Sequence, residues 1–154
     1  MCGIAGYLQS KGLSDLRNAE LIGKKMAAAI AHRGPDQCGT YILEDGRLAL
    51  VHRRLAILDL SAAGDQPMHS RDGRWVLSYN GEIYNFRDMR LELELDGYIG
   101  PWRGHSDTEV LLAGFSTWGF RETLERANGM FSLAAIFLPI SSALRRSERP
   151  LLWR

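Results

Sequence analysis

The chain begins Met1-Cys2-Gly3-Ile4-Ala5-Gly6-Tyr7-Leu8. Small and apolar residues from Cys2 to Leu8 predict a buried strand at the very start. That strand carries a thiol on its first residue. A buried cysteine is ordinarily a small hydrophobe. Removal of Met1, which a small second residue allows, gives Cys2 another property: a free α-amine beside its own thiol. With a reference pKa of about 7.7–8.0, that amine is partly neutral near pH 7. It can therefore take the thiol proton without a histidine. Gly3 lets a substrate or a neighbouring strand approach the backbone closely.

Three other stretches offer groups that such a nucleophile needs. Asn80-Gly81 stands between the strand-like runs Trp75–Tyr79 and Glu82–Tyr84, and predicts a hairpin turn. The same pair offers a carboxamide and a backbone N–H to a developing oxyanion, with the Glu82 carboxylate next to them. His52-Arg53-Arg54-Leu55 places two arginines on opposite faces of a strand. They are either solvated charges, or one of them makes a two-pronged contact to a substrate carboxylate. Ser106-Asp107-Thr108-Glu109 precedes an apolar helix and predicts a capping box from Ser106 to Glu109. Asp107 is still able to receive an ammonium group. A thiol, two oxyanion donors, an arginine and two carboxylates suit the side-chain amide of an amino acid.

The remaining signals bound the fold. Spacing of Ile22, Met26, Ala29 and Ile30 predicts a helix over 14–31 with those residues on its buried face, ending before Gly34-Pro35. Strands are expected over 40–43, 47–52 and 55–58, the first two joined at Asp45-Gly46. Helices are expected over 88–95, 108–118 and 120–126. Ala127 to Leu144 is uncharged and just long enough to be tested as a membrane span. Asn128, Pro139 and three serines favour instead a buried strand from Met130 to Leu138, broken at Pro139. Helices between groups of strands, without regular βαβ alternation, indicate antiparallel sheets with helices packed outside, an α+β fold.

Composition excludes several classes. The 154 residues are 45% hydrophobic and 24% charged, with a formal net charge of +1. The last ten residues hold four Arg and one Glu, so the rest carries 15 basic against 17 acidic groups. Neither nucleic acid nor an anionic membrane is indicated by such a balance. Two cysteines, Cys2 and Cys38, are too few for a disulfide framework, and no metal-ligand spacing joins them to a histidine. His32, His52, His69 and His105 are scattered and read as structural or surface residues. No basic leader followed by an apolar block opens the chain, and a cytoplasmic protein is expected. No phosphate-cradling glycine loop is present.

Five stretches together resemble a known family: MCGIAGYL, AHRGPDQCGTY, HRRLAILDLSAAGDQPM, YNGEIYNF and GHSDTEVLLAGFSTWG. In this order they resemble the N-terminal glutaminase domain of asparagine synthetases, a class II glutamine amidotransferase of the N-terminal-nucleophile hydrolase group. The resemblance implies a four-layer αββα sandwich over residues 1–137. It implies that Cys2 attacks the side-chain amide of glutamine and that Asn80 and Gly81 form the oxyanion hole. It further implies that Arg54 holds the α-carboxylate, while Glu82 and Asp107 hold the α-ammonium. The products would be glutamate and ammonia, with no cofactor and no metal in this domain. ATP and magnesium would belong to a separate synthetase domain, and a separate synthetase subunit is the implied partner.

The match ceases near Leu138, where the chain continues LPISSALRRSERPLLWR. Residues 138–154 are therefore expected to be a divergent tail, a frameshifted or disrupted end, leaving the sandwich incomplete at its C-terminal side. Such a loss would expose a sheet edge and favour self-association. Two other functions compete with a glutaminase: a catalytically silent fragment that only binds a partner, and an N-terminal-nucleophile amidase for another amide.

Overall fold

The computed structural model describes residues 2–11, 15–55 and 64–139. Its elements, in chain order, are β1 (Gly3–Leu8), α1 (Leu16–Ala29), a short 3-10 turn (Ala31–Arg33), β2 (Gln37–Ile42), β3 (Leu48–Arg54), β4 (Met68–His69), β5 (Trp75–Ile83), α2 (Phe86–Leu95), α3 (Asp107–Thr117), α4 (Phe120–Arg126) and β6 (Gly129–Phe137). Two antiparallel sheets form, with strand orders β1-β3-β2 and β4-β5-β6. Helix α1 covers the outer face of the first sheet, and α3 covers that of the second. The inner faces of the sheets meet, which makes the four-layer αββα sandwich expected from the sequence.

Alternation along β3 explains the layering. Val51 turns toward α1, where a Cβ on Gly23 would stand 4.0 Å from its Cγ2 atom. Leu50 turns inward and packs with Val76 and Leu138 between the sheets. The larger core lies outside the second sheet. Leu77, Tyr79 and Ile83 on β5 pack there against Met89 and Leu93 of α2 and Val110, Leu111, Leu112 and Phe115 of α3. Each fully buried Leu, Ile or Met there is worth about 1.5–3 kcal/mol. Helix α3 is buried on every side from Thr108 to Phe115 because β5, α2 and α4 enclose it.

Several local expectations are corrected. The buried stripe of α1 is Ala19, Gly23 and Ala27, while Ile22 and Met26 are half-buried and Ala29 is exposed. Small residues let the helix lie close to the sheet: a Cβ on Gly23 would come within 3.3 Å of the Thr40 methyl. Among the described residues strand β1 is an edge strand paired only with β3, and Leu8 is exposed rather than buried. Asn80-Gly81 is not a hairpin turn. Strand β5 runs straight through it because residues 75–83 pair without interruption with β6, and long-range pairing overrides the local turn signal. The expected strand at 55–58 falls largely outside the described residues.

Other expectations hold. Asp45-Gly46 joins β2 to β3, with Gly46 at φ 69° and its N–H on the Leu43 carbonyl. Helix α2 stops ahead of Gly97, which adopts φ 91°. The residues after α4 form a strand, and among the described residues no helix is long and apolar enough to cross a membrane. Strand β6 pairs only with β5 among the described residues, and the burial expected for it is corrected: none of its residues is fully buried, and Met130 and Phe137 are exposed.

Candidate active site

Register places the groups singled out above at one end of the sandwich. Gly3 pairs with Arg53, so Cys2 lies one step further along, across from Arg54 at the end of β3. The Cys2 Sγ is 3.9 Å from the Leu55 carbonyl oxygen. On the inner faces, Leu50 packs beside Val76, and His52 Nε2 lies 3.0 Å from the Tyr79 carbonyl oxygen. Strand β5 therefore advances alongside β3. Its next residues, Asn80, Gly81 and Glu82, reach the end where Arg54 and Cys2 stand.

The free edge of β5 supplies a donor. Hydrogen bonds from Tyr84 N to Asn128 O and from Leu138 N to Arg74 O fix the bonded positions against β6 as the even-numbered ones of β5. The odd-numbered N–H groups then point to the opposite edge. There β4 reaches only to Leu77. The Tyr79 N–H donates to Gln66 Oε1 at 2.6 Å, and the Ile83 N–H donates to Asp107 Oδ2 at 3.0 Å. Between them, the Gly81 N–H has no hydrogen-bond partner among the described residues. The Asn80 carboxamide beside it, half-buried, is likewise without a bond there. A Cβ on Gly81 would come within 2.4 Å of the Met130 carbonyl oxygen and of Phe131 Cβ, so only glycine keeps this stretch straight.

Asp107 is fixed from two sides. Its Oδ2 accepts from Tyr79 Oη at 2.8 Å as well as from the Ile83 N–H. Burial, followed by the charges of Asp107 and Glu82, raises the Tyr79 phenol above its ordinary range, so it stays a donor. Ser106 caps α3 by accepting the Glu109 N–H at 3.4 Å. The other half of the expected capping box is absent. The Glu109 carboxylate is buried and accepts instead from the Arg103 and Gly104 N–H groups, at 2.9 and 3.1 Å. Glu82, exposed, stands one residue before Ile83, which bonds Asp107.

The two arginines diverge as their strand positions require. Arg53 reaches the Pro35 carbonyl oxygen at 3.5 Å. Arg54 is buried, and its Nη1 donates to Gln37 Oε1 at 3.0 Å and to Asp65 Oδ1 at 3.3 Å. Gly64 lies against the same guanidinium, where a Cβ would come within 2.2 Å of Nη2. Two residues that sequence reasoning did not place in the site are His52 and Gln66. Burial lowers the His52 pKa to about 4, aided by the Arg54 charge and opposed by its bond to Tyr79. With a carbonyl as its partner, Nε2 carries the proton. No spacing rule marks either residue, since each acts through a contact across the sandwich.

Comparison with known proteins identifies relatives of this chain. The chain is 37% identical over 132 residues to asparagine synthetase [glutamine-hydrolyzing] 1 of Bacillus subtilis (strain 168), covering 86% of this chain and 20% of that protein. It is 34% identical to the Zea mays asparagine synthetase, covering 88% of this chain and 22% of that one. A putative asparagine synthetase of Methanocaldococcus jannaschii is 35% identical, with 86% and 27% covered. The chain thus spans between a fifth and roughly a quarter of these relatives' lengths. Among solved structures, the glutamine phosphoribosylpyrophosphate amidotransferase of B. subtilis, complexed with ADP and GMP, superposes with a TM-score of 0.65 at 17% identity. That match covers 89% of this chain and 35% of that one, and it shows a shared fold. The family model described as a glutamine amidotransferase domain matches residues 1–139, and the chain belongs to that family.

Proposed function

We propose that the chain hydrolyses the side-chain amide of glutamine and supplies ammonia to an asparagine synthetase-type unit. Cys2, freed of Met1, is the nucleophile, and its α-amine takes the thiol proton. The thiolate attacks the amide carbon. The oxyanion is received by the Gly81 N–H and the Asn80 carboxamide. The C–N bond breaks, ammonia leaves with the proton returned by the α-ammonium, and a thioester remains. Water then releases glutamate and restores the thiol. Arg54 faces the substrate carboxylate, and Glu82 with Asp107 faces its ammonium. No cofactor enters these steps.

The observation that supports this reading is the Gly81 N–H beside Asn80, without a partner among the described residues, at the end of the sandwich where Cys2 stands. Glutamate release from glutamine, loss of that release in Cys2→Ala, and an intact mass lacking Met1 are the expected results. A purified chain that retains Met1 and releases no glutamate, or one that turns over a different amide and ignores glutamine, overturns the proposal.

A further inference from the structure

Tyr79 is held at three points by three different elements, and two of those points lead to one side chain. Along β4, Met68 pairs with Leu77. The same register continued brings Gln66 opposite Tyr79. Strand pairing stops short of that point, because the Gln66 carbonyl is turned toward the first sheet. There it lies so close to Gly39 that a Cβ on that residue would come within 1.8 Å of it. The Gln66 side chain takes over: Oε1 accepts the Tyr79 N–H at 2.6 Å. Its Nε2 donates to Thr108 Oγ1 at 3.4 Å. Thr108 in turn lies 3.5 Å from Asp107 Oδ1, and Asp107 Oδ2 accepts the Tyr79 phenol. The bonds close a ring from the Tyr79 backbone through Gln66, Thr108 and Asp107 back to the Tyr79 side chain.

We propose that Gln66 is a positioning residue of the site. Its carboxamide replaces a missing strand at Tyr79 and locks the Asn80–Gly81 donors in register with the start of α3, where Asp107 sits. This inference rests on the glutaminase reading. Gln66 itself touches no reacting atom. Its effect passes through one peptide bond to Asn80 and one side chain to Asp107. Loss of the bond from the Tyr79 N–H to Gln66 lets β5 shift at this edge, and a shift of about 1 Å in a reacting geometry is enough to cost on the order of a hundredfold in rate.

Gln66→Met keeps the length of the side chain and removes both hydrogen bonds. Gln66→Glu keeps the acceptor for Tyr79 and removes the donor to Thr108. Amide hydrogen exchange, measured on the full chain without substrate, reads the contact independently of activity. The expected result in Gln66→Met is faster exchange at Tyr79 with Leu77 unchanged, and kcat for glutamine lowered about tenfold or more with KM within about threefold. Gln66→Glu is expected to retain protection at Tyr79 and most of kcat. Unchanged Tyr79 exchange in Gln66→Met overturns the proposal. So does a loss of kcat equal in both variants, or a rise in KM alone. If Gln66→Met fails to fold, Gln66→Glu decides: rapid Tyr79 exchange in that folded variant counts against the acceptor role. Should the unaltered chain release no glutamate, the function proposed above fails, while the exchange data still decide whether Gln66 holds β5.

Discussion

His52 and Tyr79 join the two sheets directly: the Nε2 atom of one lies 3.0 Å from the carbonyl oxygen of the other, in the buried layer between β3 and β5. This bond sets β5 against the end of β3, and with it the distance from Asn80-Gly81 to Cys2 and Arg54.

Its first consequence is a pH dependence. The His52 pKa falls to about 4 in the folded chain because burial disfavours the imidazolium. In the unfolded chain it returns to about 6.5. Above about pH 6.5 the neutral ring costs nothing in either state. As pH falls from there through about 4, the unfolded chain takes up the proton first and stability declines. The full effect is on the order of 3 kcal/mol. Urea midpoints at pH 7 and pH 5 check this. His52→Gln, which keeps a donor for Tyr79, is expected to lose less stability over that interval than the unaltered chain.

Tyr79→Phe removes the phenol that donates to Asp107. A hydrogen bond to a charged group is worth about 1.5–3 kcal/mol, and the variant is expected to lose stability in that range. Asp107 keeps the Ile83 N–H but loses its second anchor, so KM for glutamine is expected to rise more than kcat falls. Steady-state kinetics beside a denaturation curve separate the two effects.

Gly39→Ala tests the contact between the first sheet and the Gln66 backbone. A Cβ there would stand 1.8 Å from the Gln66 carbonyl oxygen and 2.8 Å from its carbon, so the backbone has to move. The expected cost is about 3 kcal/mol, the upper end of ordinary overpacking, seen as a lower melting temperature. Gly97→Ala is the useful contrast. Its Cβ meets nothing within 4 Å, and only the positive φ of 91° is strained. A penalty of about 1 kcal/mol is expected there.

Glu109→Gln tests the altered cap of α3. The carboxylate accepts two backbone N–H groups with two oxygens. A carboxamide has one oxygen and presents an NH2 to the other donor, which leaves a partly buried N–H unsatisfied. A loss of about 1–3 kcal/mol is expected, with faster amide exchange at Arg103 or Gly104. Equal stability of the variant and the unaltered chain would mean that the 103–104 loop is held by other contacts.

Part of the candidate site was legible as chemistry. Cys2, Asn80, Gly81, Glu82 and Asp107 stand out by residue type, alternation puts Arg53 and Arg54 on opposite faces, and the choice of Arg54 came from the family resemblance. The turn expected at Asn80-Gly81 was not formed, because a turn signal is local and the pairing of β5 with β6 is not. The buried face of α1 was misplaced for a related reason. Hydrophobic spacing ranks Ile22 and Met26 first, whereas close packing against Thr40 and Val51 selects Ala19, Gly23 and Ala27.

By itself the sequence determined the chemical inventory and the order of most elements, which depend on residue type and on periodicity along the chain, while the αββα layering was implied only by the family resemblance. The tertiary structure alone decided which groups are free and which are occupied. The Gly81 N–H left without a partner among the described residues, the Gln66 carboxamide standing in for a strand and the neutral His52 between the sheets all depend on neighbours distant in sequence. A hydrogen-bond donor is spent or spare only once the opposite edge has been filled.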